Sequence, residues 1–175
     1  REGEQQMLKA TRGVNTHKGA LFAMGLTLAA AVHLHTTKLP LNTEHLQNTI
    51  ARLAAYFTRP ADTHGATIHR QYGVPGALDN ARTGYAQLFN LWLPFWKQQQ
   101  HTPDALYRLL LYIMSTLDDT NVLHRVGNRR AAEVKSEAKH LLENFTLNQL
   151  EQLDRIYIDQ NISPGGAADM LALTL

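Results

Sequence analysis

Cysteine is absent from the 175 residues, which removes disulfides and thiolate metal centres and leaves a reducing cytoplasm as the expected location. Charged residues are scarce at 18% beside 44% hydrophobic ones, too few for a disordered protein. The net charge of +2 supplies no basic arm, so no nucleic-acid partner is expected. The apolar run Gly19 to Leu34 is shorter than a usual membrane span, with His33 and His35 at and just beyond its end. It reads as a buried helix, with no membrane partner. The opening "REGEQQMLKAT" lacks the charged, apolar and small-residue regions of a signal peptide.

Also missing is any run of alternating β-branched residues bounded by turn signals, so the expected fold class is all-α. Without an internal repeat, the helices are expected to form one irregular multi-helix bundle, a single helical domain over residues 1–175. A first helix is expected to close near Thr11, and a second to run from about Gly19 to "KLPLN", where Pro40 forbids continuation. Asn42 or Thr43 caps a third, with Leu46, Ile50, Leu53, Ala54 and Phe57 on one face, and this helix stops at Pro60. Asp62 and Thr63 start a short helix through Tyr72, whereas "GVPGALDNARTG", residues 73–84, reads as turns. Pro94 is expected to kink the next helical segment, and Pro103 opens one that runs to Leu117. "DDTNVLHRVGN" breaks the pattern before a helix from about Arg129 to Glu143. Thr146 then caps a helix to about Gln160, and "NISPGG" precedes the last one. Both ends fall inside helical patterns, so the chain is expected to be a C-terminal portion of a longer protein.

Four polar constellations interrupt this apolar scaffold. "GVNTHKGALF" places Asn15, His17, Lys18 and Gly19 at a helix start, where unpaired backbone N–H groups and a lysine suit a phosphate; an ordinary cap and turn uses the same residues. It is not a Walker A loop, because no strand leads in and no Ser or Thr follows the lysine. "DDTNVLHR" gathers Asp118 and Asp119 with His124 and Arg125. Two adjacent carboxylates suit Mg²⁺ bound together with phosphates, and they equally suit a solvated helix end. In "ISPGGAADML", Ser163, Gly165 and Gly166 leave backbone N–H groups open to close approach, with Asp169 one turn further; a tight helix–helix turn needs the same glycines. In "DTHGATIHRQYG", His64 and His69 have the wrong spacing for a zinc helix, and Arg70 is a phosphate partner or a surface charge.

Taken together, "GVNTHKGALF", "DDTNVLHR" and "ISPGGAADMLALTL" resemble the triphosphoribosyl-dephospho-CoA synthase family, the citrate-lyase-associated enzyme and its malonate-decarboxylase counterpart. The resemblance implies an all-α transferase that joins the 5-triphosphoribosyl group of ATP to the 2′-hydroxyl of 3′-dephospho-CoA and releases adenine. It also implies a longer protein, with the family's N-terminal part absent here. A helix face uncovered in that way is expected to pair with a second copy, giving a homodimer.

That chemistry asks for cations around a triphosphate and for a base at the accepting hydroxyl. The residues assigned are Asn15, Lys18, Gly19, Arg70, His124, Arg125, Ser163, Gly165 and Gly166 for ATP and its phosphates. Asp118, Asp119 and Asp169 are assigned to Mg²⁺, and His17 or Asp119 to proton transfer. The alternative is a helical nucleotide-binding or regulatory module that lacks transfer activity.

Overall fold

Local capping chemistry delimits the helices much as the sequence dictates. In the computed structural model, which describes residues 5–6, 9–10, 18–58 and 64–175, Asn42 caps helix α2 (Thr43–Ala54) by accepting from the His45 amide at 2.9 Å. Thr146 caps α8 (Leu147–Asp159) by accepting from the amide of Gln149. The described residues contain no strand, so the fold is all-α. The expected boundary at Thr11 and the starting residues Asp62 and Thr63 lie outside the described residues, whereas α2 ends at Ala54, short of the expected stop at Pro60, so Phe57 stands beyond the helix.

Helix α1 (Lys18–Thr36) turns Ala23, Leu26, Ala30 and Leu34 into the core and packs on α2 and on the last helix, α9 (Gly165–Thr174). Helix α6 (Ala105–Thr116) is the most deeply placed, with Leu109, Leu111 and Ile113 fully buried. It packs chiefly on α7 (Thr120–Glu143) and also on α9, so the final helix is wedged between α1 and the α6–α7 pair. Complete burial of each of those three side chains contributes about 1.5–3 kcal/mol to holding α6 in the core.

Three further elements differ from expectation. Residues 73–84, read as turns, contain helix α4 (Ala77–Arg82) after α3 (His64–Tyr72). The Asp79 carboxylate accepts from the Gly76 amide at 2.9 Å to open α4, and Gly84 N–H to Ala81 O with Tyr85 N–H to Asn80 O closes it. The glycines and proline therefore flank a six-residue helix that is too short to show a period.

The kink expected at Pro94 is a π-helical stretch, Leu88–Trp92, running into α5 (Leu93–Gln99). Proline has no N–H to offer the carbonyl four residues back, and the ladder widens just upstream, with Leu93 N–H donating to Leu88 O. Trp92, 2% exposed, anchors the stretch by donating from Nε1 to Thr116 Oγ1 at 2.9 Å.

The third difference bears on function. The "DDTNVLHR" segment is not a loop after Asp119: α7 begins at Thr120 and carries Asn121, His124 and Arg125 on its first turns. The break lies later, at Gly127 (φ 75°, ψ 173°), a conformation open essentially to glycine alone, and the helix then resumes. Downstream, Arg130 pairs with Glu137 (Nη1 to Oε1, 2.7 Å), and the Tyr157 hydroxyl donates to the same carboxylate at 2.9 Å. Together they tether α8 to α7.

Candidate functional site at the starts of three helices

The site is organised by one carboxylate. Asp119 stands just ahead of α7 with only 8% of its surface exposed. Its Oδ1 accepts from the amides of Asn121 (2.8 Å) and Val122 (3.4 Å), and its Oδ2 accepts from the Ala167 amide at 2.9 Å; the Gly166 amide adds a fourth backbone donor. A single side chain thus caps both α7 and α9. Burial pushes this carboxyl above its usual range, against the pull of the four amides.

The first turn of α9 is made of small residues because other side chains press on it. A Cβ on Gly166 would stand 2.9 Å from Asp119 Oδ1, and one on Gly165 would stand 2.9 Å from Asn121 Nδ2. Asp169, one turn further along α9, lies against the described start of α1, where a Cβ on Gly19 would collide with its carboxylate. Hence the described start of α1 and the first turns of α7 and α9 meet around the same two turns of α9, with the starts of α7 and α9 both turned to the Asp119 carboxylate.

Of the residues expected to act together, the structure unites Gly19, Asp119, Gly165, Gly166 and Asp169 in this way. It separates others. Asp118 is exposed and pairs with Lys135 Nζ at 2.7 Å, while its neighbour Asp119 turns inward, because the extended backbone there (φ −74°, ψ 108°) sends consecutive side chains apart. Among the described residues no group of three His, Asp or Glu side chains is gathered that could hold a metal. The expected Mg²⁺ set of Asp118, Asp119 and Asp169 is therefore not assembled. The Gly166 amide, expected at a phosphate, is donated to Asp119 instead.

Lys18 is the exposed first residue of α1, and His124 and Arg125 are exposed on α7. Arg70 is exposed in the last turn of α3, and Ser163 is half-buried ahead of Pro164. Arg125 Nη1 donates to Asn161 Oδ1 at 2.6 Å, which holds the guanidinium beside the turn leading into α9. Asn15 and His17 lie outside the described residues. A cavity of about 110 Å³ opens beside this junction, lined by Val74, Leu117, Asp119, Asn128, Lys135 and Pro164 among others.

Sequence reasoning missed Lys135, Asn128 and Tyr85. Lys135 and Asn128 look like ordinary residues of a polar helix, and only the fold brings them to the cavity. Tyr85 is 2% exposed and has a left-handed backbone (φ 53°), and its hydroxyl is buried with no hydrogen-bond partner. Burial and the Asp169 charge push that hydroxyl well above the usual tyrosine range.

With described residues of the three motifs meeting at one place, the chain can be compared with known proteins. Residues 1–175, the whole chain, match the family described as CitG: ATP:dephospho-CoA triphosphoribosyl transferase. The chain belongs to that family. Proteins named "probable 2-(5''-triphosphoribosyl)-3'-dephosphocoenzyme-A synthase" are similar throughout. The one from Pseudomonas fluorescens is 41% identical over 189 residues (100% of this chain, 64% of the relative), and the one from Pseudomonas paraeruginosa is 38% identical over 185 residues (100% and 63%). The one from Vibrio cholerae is 33% identical over 192 residues (99% and 61%). The chain thus spans a little under two thirds of the length of these triphosphoribosyl transferase relatives. No solved structure matches it.

Proposed function

We propose that this chain forms the phosphate-gripping part of an enzyme that transfers the 5-triphosphoribosyl group of ATP to the 2′-hydroxyl of 3′-dephospho-CoA and releases adenine. The observation that supports this reading is the meeting of Gly19, Asp119, Gly165 and Asp169, drawn from three separate segments of the sequence, around the first two turns of α9.

The reaction breaks the bond from ribose C1′ to adenine and forms one from C1′ to the acceptor oxygen. The leaving base takes the bonding pair, and the acceptor hydroxyl gives up its proton. Positive charge develops on the ribose while the triphosphate keeps its negative charge, so the site must present a carboxylate to one and cations to the other. In this reading Lys18 grips the phosphates from the start of α1. Arg125, His124 and Arg70 supply the remaining donors, with Ser163 and the backbone of Gly19 and Gly165 lining the same mouth, and Asn15 is assigned to the phosphates from its place in the sequence. Asp169 is the carboxylate turned towards the ribose. His17, next to Lys18 in sequence, takes the acceptor proton.

Asp119 is placed among the positioning residues, because its four backbone donors leave it to fix α7 against α9. The described carboxylates do not fit a resident Mg²⁺ cage, so Mg²⁺ is treated as part of the nucleotide substrate and carries no step here.

The test is adenine release from ATP, measured with and without 3′-dephospho-CoA, on this chain and on the Pseudomonas fluorescens relative. Release that depends on the acceptor is expected in at least the longer protein. Lys18→Ala, made at the matching position there, is expected to raise the KM for ATP about tenfold, a loss of about 1.4 kcal/mol of binding. Nucleotide binding without adenine release in both proteins would leave the regulatory module as the better reading.

A further inference from the structure

Helix α1 poses a question that the transfer reaction does not answer. From Gly19 to Leu34 it carries no Asp, Glu, Lys or Arg, and its polar side chains are Thr27 and His33 alone. Its inner face, Ala23, Leu26, Ala30 and Leu34, is buried in the core. At 100° per residue, Leu21, Met24, Leu28 and Val32 fall on the opposite side in one stripe, and they are 63%, 41%, 66% and 52% exposed. A surface helix of a globular protein normally turns polar residues outward, and a helix apolar all round is normally buried all round. The stripe extends about 16 Å, enough to seat three turns of another helix.

A membrane would cover such a stripe by length and composition, since this is the one described helix long and apolar enough to cross one. The inner face argues otherwise, because it is spent on packing against α2, α4 and α9, so α1 cannot leave the bundle without opening the core. What the relatives carry points to the occupant. They match this chain over 99–100% of its length while it covers only 61–64% of theirs, so more than a third of each lies outside the matched region.

We infer that the outer stripe of α1 is a docking surface for a further apolar-faced helix of the family's own polypeptide, drawn from the part of the relatives that lies outside their match to residues 1–175. This inference stands apart from the transfer reaction. The docked segment would lie directly over the helix whose first residues are Lys18 and Gly19, and would fix the direction in which that start points.

The absence of cysteine makes the test direct. Leu28→Cys introduces the chain's single thiol at an exposed position. Its maleimide labelling, read by peptide mass spectrometry, is compared in residues 1–175 and in a chimera in which residues 1–175 replace the matched region of the Pseudomonas fluorescens relative. Labelling at the rate of an open thiol is expected in residues 1–175, and labelling at least tenfold slower in the chimera. Leu28→Glu should leave the melting temperature of residues 1–175 unchanged and lower that of the chimera. Equal labelling rates in the two proteins would overturn the inference. So would protection of residues 1–175 that grows with protein concentration, which would indicate a second copy, or protection that needs phospholipid vesicles, which would indicate a bilayer. None of these readouts depends on transferase activity.

Discussion

At position 119 a carboxylate is needed because every neighbour donates. An ionised aspartate offers only acceptors to the amides of Asn121, Val122, Gly166 and Ala167, whereas asparagine would turn two N–H bonds towards other N–H groups. Asp119→Asn is therefore expected to cost about 1–3 kcal/mol, read as a lower midpoint in urea unfolding. An unchanged midpoint would mean that the carboxylate does not tie α7 to α9. The sequence made the importance of this residue legible but not its direction. Two adjacent aspartates suggest a shared ion, yet the extended backbone that sends Asp118 to Lys135 and Asp119 inward is a dihedral choice that no residue type reveals. The "GG" pair was legible as a place of close approach. That the approaching anion is Asp119, and not a ligand, depends on a contact across 48 residues.

At the level of elements, the caps at Asn42 and Thr146 were legible because they act within three residues. Helix α4 was not, since six residues between turn signals carry no period, and the π-helical stretch owes its place to Pro94 and to the distant partner of Trp92. The break in α7 falls between these cases. The interruption near "HRVGN" could be read, but its location at one glycine, with helix on both sides, could not. A side chain at Gly127 would meet open space, so any cost of substitution comes from the backbone. Gly127→Ala is expected to destabilise by roughly 1–3 kcal/mol, checked by chemical denaturation. A neutral result would show that α7 runs straight through this point at no cost.

For the molecule as a whole, the all-α class was legible from periodicity, whereas the convergence of α1, α7 and α9 was not, because packing alone decides which helix ends share a corner. That convergence has a global consequence for ligand binding. A nucleotide held by residues of three separate elements must stabilise all three together, so ATP at a hundred times its dissociation constant should stabilise the fold by about 2.7 kcal/mol. For a chain of this size that is a rise of roughly 5–10 °C in melting temperature, reduced by Lys18→Ala. A melting temperature indifferent to millimolar ATP in both this chain and the Pseudomonas fluorescens relative would remove the nucleotide from this corner. The Asp119 bridge also sets a timetable for biosynthesis. Ala167 leaves the ribosome 48 residues after Asp119, an interval of about 2–10 s at ordinary translation speeds, and until then the carboxylate has only the amides of α7 and water. Newborn chains must therefore pass through a stage in which the corner is hydrated and α9 has yet to arrive, so the α7 side of the corner forms before the bridge that closes it.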